Sequence, residues 1–229
     1  MRLSRILATL SYKPITCKGD DNAVAMADLQ SLAYNHAFMR TGEIKRETRE
    51  TQISVQVNLD GEGRSSVDTE IKFLTHLIEL LTTHSLFDIT VHARGDLVHH
   101  IVEDTALSLG AAMNQALGDR AGIVRFGHAV VPLDEALAVA SVDLAKRPYN
   151  VIDLKIDKNG IEDMAREDIY HFTRSLATAM EATIHVIVQY GENDHHKVES
   201  GIKALARALR QAVARDPQRS GVPSSKGVM

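Results

Sequence analysis

The sequence predicts an α+β fold made of two copies of one structural unit. Short segments with strand-like alternation are interleaved with segments in which apolar residues recur at helical spacing. A His-His-x-x-Glu motif begins at His99 and again at His195. Each copy follows a helical segment that contains a histidine, His76 or His171, at closely matched intervals. Because such self-similarity indicates internal repeats, we expect two compact α+β halves that pack into one layered body.

The elements are placed by apolar periodicity and by the residues that end each run. Apolar residues alternate from Ile53 to Leu59, and Asp60 with Gly61 then favours a turn. Gly118 ends the helical pattern that runs from Val102 to Leu117. In chain order we expect a strand at 53–59, a helix at 73–81, a strand at 86–91, a helix at 102–117, a β-rich segment at 124–156 interrupted by Pro132 and Pro148, a helix at 170–180, a strand at 183–188 and a helix at 198–213.

The repeat also sets the expected domain organisation. We divide the chain into an N-terminal extension of doubtful order at 1–38, a first α+β repeat at 39–122, a second α+β repeat at 123–216 and a substrate-binding tail at 217–229. The extension holds only a short apolar run, and Met39 is expected to be the true start of the protein. A transit peptide is the alternative, which the acidic Asp20 and Asp21 disfavour.

Composition narrows the classes of function. Of the 229 residues, 44% are hydrophobic and 24% are charged, which disfavours disorder. The 26 Lys and Arg residues are outnumbered by 30 Asp and Glu residues, so nucleic acid is not an expected partner. No apolar run reaches the roughly 18 residues of a membrane span, so no membrane is expected either. The single cysteine, Cys17, favours a reducing compartment, and we expect a cytoplasmic location.

The repeated motif has the residue types and the spacing of a metal site. On a helix, residues four apart face the same way, so the first histidine of each motif pairs with its glutamate, while the second histidine points about 100° away. Each motif can therefore supply ligands to two different metals. With the upstream helical histidines, the candidate ligands are His76, His99, His100, Glu103, His171, His195, His196 and Glu199.

Pseudo-twofold symmetry between the halves predicts how the ligands are divided between two metals. One ion is expected on His99, Glu103, His171 and His196, and the other on His76, His100, His195 and Glu199. Nitrogen ligands with one hard oxygen suit manganese, iron, zinc or nickel. A single His-His pair could instead be a helix cap or a surface group, but two copies at matched intervals disfavour that interpretation.

Several other segments accompany the two motifs in a fixed order. They are Arg-Glu-Thr-Arg-Glu-Thr at 46–51, Asn-Leu-Asp-Gly at 58–61, Arg-Phe-Gly-His at 125–128, Pro-Leu-Asp-Glu-Ala at 132–136, Arg-Pro-Tyr at 147–149 and Pro-Ser-Ser-Lys-Gly at 223–227. With these segments, residues 40–228 resemble the imidazoleglycerol-phosphate dehydratase family.

The resemblance implies a metal-dependent hydro-lyase of histidine biosynthesis. It implies a GHMP or ribosomal protein S5 domain 2-like fold with helices packed between two sheets, two Mn²⁺ ions per active site on the eight candidate ligands, and a homo-oligomer of 24 subunits with sites between subunits. An acid/base glutamate of the family matches Glu50. Groups that bind the small phosphate substrate match Glu50, Arg125, Arg147, Lys203, Ser224, Ser225 and Lys226.

Without the resemblance, several of these residues have simpler interpretations. Arg125 and Arg147 would be surface ion pairs. Lys203 follows Glu199 by four residues and could form a helical i,i+4 pair. Lys226 lies in a tail of a composition that usually lacks order. The remaining histidines of the repeats are expected to be structural or exposed: His84, His92, His128 and His185.

The sequence departs from the family pattern in its first half. Thr75 stands where an aspartate usually precedes the first helical histidine, and Ser85 replaces a glycine that usually starts the next strand. The segment before His99 is shorter than the usual acidic loop. Since ligating imidazoles generally donate their other N–H to a carboxylate or carbonyl, we expect a less efficient first-half site. Asp134 and Glu135 are given no role.

Three functions are open on this sequence. The leading one is a metal-dependent carbon–oxygen lyase. The second is a metal-binding, assembly-forming relative with reduced or lost turnover, and the third is an unrelated dinuclear hydrolase of phosphate esters. The motif is not the arrangement in which a glutamate lies between two ligating histidines, so a metallopeptidase is disfavoured.

Overall fold

Two copies of one strand-and-helix pattern follow each other along the chain. The first contains β1 (Thr41–Glu47), β2 (Thr51–Asn58), β3 (Ser65–Asp68), α1 (Lys72–Ser85), β4 (Asp88–Gly95) and α2 (Val98–Leu117). The second contains β5 (Phe126–Leu133), β6 (Ala136–Asp143), β7 (Tyr149–Asp153), β8 (Gly160–Ile161), β9 (Met164–Ala165), α3 (Arg166–Ala179), β10 (Thr183–Tyr190) and α4 (Asp194–Val213). The computed structural model describes residues 39–229, so the expectations for residues 1–38 lie outside the described residues.

The two four-stranded sheets have equivalent topology. Their strand orders are β1-β2-β4-β3 and β5-β6-β10-β7. In each sheet the first two strands are antiparallel, and the third strand along the chain pairs in parallel with the strand that follows the first helix. The β8–β9 hairpin is an addition of the second copy, between β7 and α3. The predicted duplicated α+β fold is confirmed.

The four helices lie between the two sheets. Helix α2 covers β1 and β2, helix α4 covers β5 and β6, and the two layers meet where α2 packs on α3 and α1 packs on α4. In both copies the first strand also approaches the last helix closely, at a glycine. A Cβ added at Gly42 of β1 would lie 2.0 Å from the Ala112 carbonyl oxygen, and one at Gly127 of β5 would lie 1.9 Å from that of Ala208. Glycine is therefore required at both positions.

Several elements begin elsewhere than the sequence predicts. The helices expected at 102–117 and 198–213 begin at Val98 and Asp194, because their first turns carry the polar histidine pairs, which interrupt the apolar periodicity. The strand expected from residue 86 begins at Asp88. Leu86 instead ends α1 in a left-handed conformation with a φ of 62°, a conformation that favours glycine.

Other boundaries reflect weak local patterns. The helix expected at 170–180 begins at Arg166, and the β-rich segment at 124–156 contains β5, β6 and β7. The sequence does not predict β1, β3, β8 or β9, which are short or exposed and lack clean alternation. The division of the chain into repeats at residue 122 stays a prediction. No helix within residues 39–229 is both long and apolar enough to cross a membrane.

Arg120 joins the two halves where α2 and α3 end. Its side chain is fully buried, and it follows the end of α2. Nη2 donates to the Met180 carbonyl oxygen at 2.7 Å and Nη1 to that of Glu181 at 3.0 Å, just beyond the end of α3. Nη2 also donates to Asn114 Oδ1 at 2.7 Å. Arg120 therefore supplies donors, and a positive charge, to the carbonyl groups that directly follow the end of α3.

Arg120→Met is expected to lower the free energy of unfolding by about 2 kcal/mol, because methionine keeps most of the volume but leaves buried carbonyl oxygens without donors. Because methionine carries no charge to bury, part of this loss is offset. Denaturant unfolding measures the effect, and Arg210→Met on the exposed side of α4 is the matched control. Equal midpoints for the two variants would contradict this role of Arg120.

Candidate metal centre

Three of the predicted ligands meet at the start of α2. We call His99, Glu103 and His171 the first cluster. Helix α2 carries His99 and Glu103 four residues apart, and α3 of the other half carries His171. Glu103 Oε1 lies 3.3 Å from His171 Nε2, and Oε2 lies 4.0 Å from His99 Nε2. Candidate ligand atoms of all three lie within 4.8 Å of one another.

The symmetric set forms a second cluster at the start of α4, made of His76, His195 and Glu199. Helix α4 carries His195 and Glu199, and α1 of the first half carries His76. Glu199 Oε2 lies 3.3 Å from His195 Nε2 and 3.7 Å from His76 Nε2. Both clusters are therefore crosswise, because each combines a motif from one half with a helical histidine from the other.

Each cluster contains one buried imidazole nitrogen that has no hydrogen-bond partner among the described residues. His76 Nε2 and His171 Nε2 are buried and lack a partner among the described residues. A buried polar atom without a partner is costly, and native structures usually satisfy it with protein, water or an ion. Each of these nitrogens faces the glutamate of its own cluster. The donor set of two imidazoles and one carboxylate therefore fits a divalent transition metal.

The two remaining predicted ligands do not join either cluster within one chain. His100 Nδ1 lies 2.7 Å from Asp96 Oδ1, and His196 Nδ1 lies 2.8 Å from Glu135 Oε2. These contacts raise the pKa of His100, through its hydrogen bond to Asp96, and that of His196, through its hydrogen bond to Glu135. Neither predicted four-ligand set is complete in a single chain.

Asp96 supplies a supporting carboxylate to His100 despite the shortened segment before His99. Although the segment before His99 is short, Asp96 lies just before Leu97, the N-cap of α2, and contacts His100 four residues later in the chain. At the other departure from the family pattern, Thr75 stands where an aspartate is usual. Thr75 forms its hydroxyl hydrogen bond with Thr69, Oγ1 to Oγ1 at 2.8 Å.

Two carboxylates that contact motif histidines, Asp168 and Glu135, are not predicted from the sequence. Asp168 is 5% exposed, and its Oδ1 lies 2.7 Å from His99 Nδ1. Its position three residues before His171, on the same face of α3, is a signal that could have identified it. Glu135 lies in the turn before β6, where no periodic pattern applies. Its Oε1 accepts the backbone N–H of Asn193 at 2.8 Å, while Oε2 contacts His196.

The contact between Glu135 and His196 is expected to stabilise the metal-free protein over a limited pH range. The hydrogen bond to His196 lowers the pKa of Glu135 from 4.5 to about 2, so its contribution is complete above pH 4.5 and lost toward pH 2. The pKa of His196 is raised from 6.5, so the contribution is complete below pH 6.5 and lost as pH rises through the raised pKa.

The difference in melting temperature between the parent protein and Glu135→Gln, measured with a chelator present, should therefore be larger near pH 5.5 than near pH 8.5. Glu192→Gln, an exposed neighbour in the same loop region, is the control and should show no such trend. A difference that stays constant with pH would contradict the assigned contact.

Glu50 lies in the loop between β1 and β2 with a largely exposed side chain. The Thr48 hydroxyl accepts the backbone N–H of Glu50 at 3.1 Å and that of Thr51 at 2.9 Å, which fixes this turn. Glu50 Oε2 lies 3.9 Å from His100 Nδ1. The predicted acid/base group therefore accompanies His100 and lies in neither cluster of its own chain.

A separate cavity of about 350 Å³ collects most of the predicted phosphate-binding residues. They are Arg125, Arg147, Ser224, Ser225 and Lys226. Arg125 holds this region together, since Nη1 donates to the Pro223 carbonyl oxygen at 2.6 Å, while Nε and Nη2 donate to Asp143 at 2.7 and 3.1 Å. Its φ of 76° is unusual for a residue other than glycine, as at many functional sites.

Lys203 does not line that cavity. Its ammonium group lies 2.7 Å from Glu199 Oε1, which is the i,i+4 pair that spacing alone suggests. Burial raises the pKa of Glu199, but the hydrogen bond and charge of Lys203, with smaller contributions from His76 and His195, leave that pKa below its ordinary value. Among the described residues, none of the other four histidines joins a candidate metal cluster: His84, His92, His128 and His185.

A sequence profile described as imidazoleglycerol-phosphate dehydratase matches residues 69–209. Proteins named imidazoleglycerol-phosphate dehydratase are similar over most of the chain. One from Dehalococcoides mccartyi is 47% identical over 191 residues, covering 83% of this chain and 97% of that protein. One from Methanothermobacter thermautotrophicus is 47% identical over 192 residues, covering 82% and 97%.

Solved structures agree in fold. An imidazoleglycerol-phosphate dehydratase from Staphylococcus aureus superposes with a TM-score of 0.71 at 29% identity, covering 76% of this chain and 99% of that one. A structure from Pyrococcus furiosus, solved in complex with (S)-C348, also gives a TM-score of 0.71, at 35% identity, covering 81% of this chain and all of that one.

Proposed function

The chain belongs to the imidazoleglycerol-phosphate dehydratase family, and from this premise we propose that it removes water from imidazoleglycerol phosphate to give imidazoleacetol phosphate. This reaction is a carbon–oxygen lyase step of histidine biosynthesis. The observation that carries the proposal is the pair of crosswise clusters, each with a buried imidazole nitrogen that has no partner among the described residues. An imidazole-containing substrate suits such a centre, because a metal with open positions can bind its ring nitrogens.

Two Mn²⁺ ions per active site are part of the proposal. The first cluster would hold one ion with His196 of another subunit, and the second cluster would hold the other with His100 of another subunit. When bound, two divalent cations favour the anionic form of the substrate's imidazole ring. The short contacts from Nδ1 of His99, His100 and His196 to carboxylates support this, because they leave each Nε2 free to act as a ligand.

The remaining proposed residues bind the substrate or move a proton. Glu50 is the acid/base group, since its exposed carboxylate lies beside His100 and, among the described residues, forms no salt bridge with a lysine or arginine. The cavity formed by Arg125, Arg147 and residues 224–226 would bind the phosphate with guanidinium, hydroxyl and ammonium donors. Lys203 would bind the phosphate only if its ammonium group gave up its contact with Glu199.

We further propose a homo-oligomer of 24 subunits that completes these sites between neighbours. Two features of the chain support an extended contact between copies. His100 and His196 lie in neither cluster of their own chain, and their Nδ1 contacts to Asp96 and Glu135 leave Nε2 available to a cluster of a neighbouring subunit. In addition, the outer face of the second sheet exposes large apolar side chains, including Phe126, Val130 and Tyr149, at 56 to 64% exposure. A cytoplasmic location is proposed on the single cysteine.

One alternative is a protein that binds metal at these clusters but has reduced or lost dehydratase turnover. Thr75 offers a hydroxyl where a carboxylate is usual, which supports a metal-binding, assembly-forming relative with reduced turnover.

The experiment is to incubate the purified, manganese-loaded protein with imidazoleglycerol phosphate, while measuring bound metal by atomic emission and mass by light scattering. Imidazoleacetol phosphate with about two ions per chain supports the lyase. Metal and assembly without product support the alternative, and release of inorganic phosphate indicates a hydrolase.

A further inference from the structure

The pseudo-twofold symmetry of the two clusters is broken around their motif histidines. In the first cluster, the buried Asp168 lies 2.7 Å from His99 Nδ1. The corresponding residue of the first half, three positions before His76, is Phe73. Its ring packs on His195 with the centroids 5.3 Å apart. An apolar ring therefore occupies the place in the second cluster where the first has a carboxylate.

Among the described residues, no carboxylate forms a hydrogen bond with His195 Nδ1. The nearest acidic oxygen to His195 Nδ1 among the described residues is Glu162 Oε1, at 3.5 Å, and Glu162 is largely exposed. The three other motif histidines each have a carboxylate oxygen within 2.8 Å of Nδ1. A carboxylate at this position fixes the ring and its tautomer and makes the opposite nitrogen a better ligand.

The glutamates of the two clusters also differ, and their difference again favours a cation in the first cluster. Glu199 shares its charge with the ammonium group of Lys203, 2.7 Å away in a mostly buried pair. Glu103 has no Lys or Arg within salt-bridge distance in the part of the chain described. A cation bound to the first cluster therefore meets the full charge of its carboxylate, whereas one bound to the second competes with an existing positive charge.

We propose that the two clusters hold their cations unequally, with the ion on His76, His195 and Glu199 bound more weakly and exchanged first. The inference rests on the proposed metal centre and adds a ranking to it. Asp168 is then a positioning residue for His99, and Lys203 weakens the second cluster. Loss of a carboxylate that supports a ligating histidine typically lowers metal affinity 10–100-fold, so the two affinities are expected to differ by about that factor.

The test is retention of manganese by the loaded protein during dialysis against a graded series of nitrilotriacetate concentrations, with ions per chain counted by atomic emission. We expect two steps. Asp168→Asn should move the later step about 10–100-fold toward easier loss and so merge the two. Lys203→Met should move the earlier step toward tighter retention. Glu167→Gln removes the same charge from the exposed side of the same helix end and is the matched control.

The outcomes separate the ranking from the proposed centre. Loss of both ions in one step from the parent protein overturns the ranking, as does an Asp168→Asn variant in which only the earlier step moves. A single ion per chain that Asp168→Asn weakens supports the ranking while contradicting the count of two. If the protein retains no manganese at any concentration, the proposed centre itself is wrong, and the ranking is overturned with it.

Discussion

Glu103→Ala is expected to reduce bound manganese to about half and to lower turnover more than 100-fold. The change removes the single carboxylate that lies between His99 and His171 in the first cluster. Losing a residue that only supports a ligand typically costs 10–100-fold, so loss of a ligand should exceed that range. Atomic emission on the purified variant and an assay of imidazoleacetol phosphate formation measure the two effects together.

The control for this variant is Glu79→Ala, on the exposed side of α1. It makes the same chemical change on a helix without reaching either cluster, so metal content and turnover should match the parent. An unchanged manganese stoichiometry in Glu103→Ala would exclude Glu103 as a ligand. Retained metal with lost turnover would also count against it, because the proposal ties both effects to one carboxylate.

The duplicated fold could be predicted because both repeats carry the same local signals. Strand alternation such as that from Ile53 to Leu59 and the helical i,i+4 pairing of each motif are short-range properties, and they survive in the structure. The starts of α2 and α4 were less predictable, since the histidines that give those turns their chemistry also interrupt the apolar pattern. The local rule therefore fails where functional residues replace apolar ones.

The environment of the candidate ligands depends on contacts between distant segments. Asp168 reaches His99 across the α2–α3 contact, and Glu135 reaches His196 from a turn 61 residues away. The spacing of Asp168 and His171 places Asp168 on the correct face of α3, but nothing in the sequence pairs it with His99 or pairs Glu135 with His196. The replacement of a carboxylate by Phe73 in the second cluster becomes interpretable only when the two halves are compared in space. The sequence thus identifies candidate ligands but does not rank the clusters.

Glu50→Gln is expected to lower turnover by about 10² to 10⁴ while leaving manganese content and assembly unchanged. Glutamine keeps the size of the side chain but cannot accept and return a proton at neutral pH. Because the Glu50 side chain is 59% exposed, the substitution should have little effect on folding. Steady-state kinetics with metal analysis measures the effect, and Glu47→Gln, exposed at the end of β1, is the control.

The same variant also tests where the proton is moved. Glu50 lies 3.9 Å from His100, which would complete the second cluster of another subunit, so both should approach the more weakly held ion together. Glu50→Gln should then lower kcat far more than it raises KM, since the phosphate-binding cavity is formed by other residues. Full turnover with both ions bound would show that another group moves the proton, and a rise in KM alone would make Glu50 a binding residue.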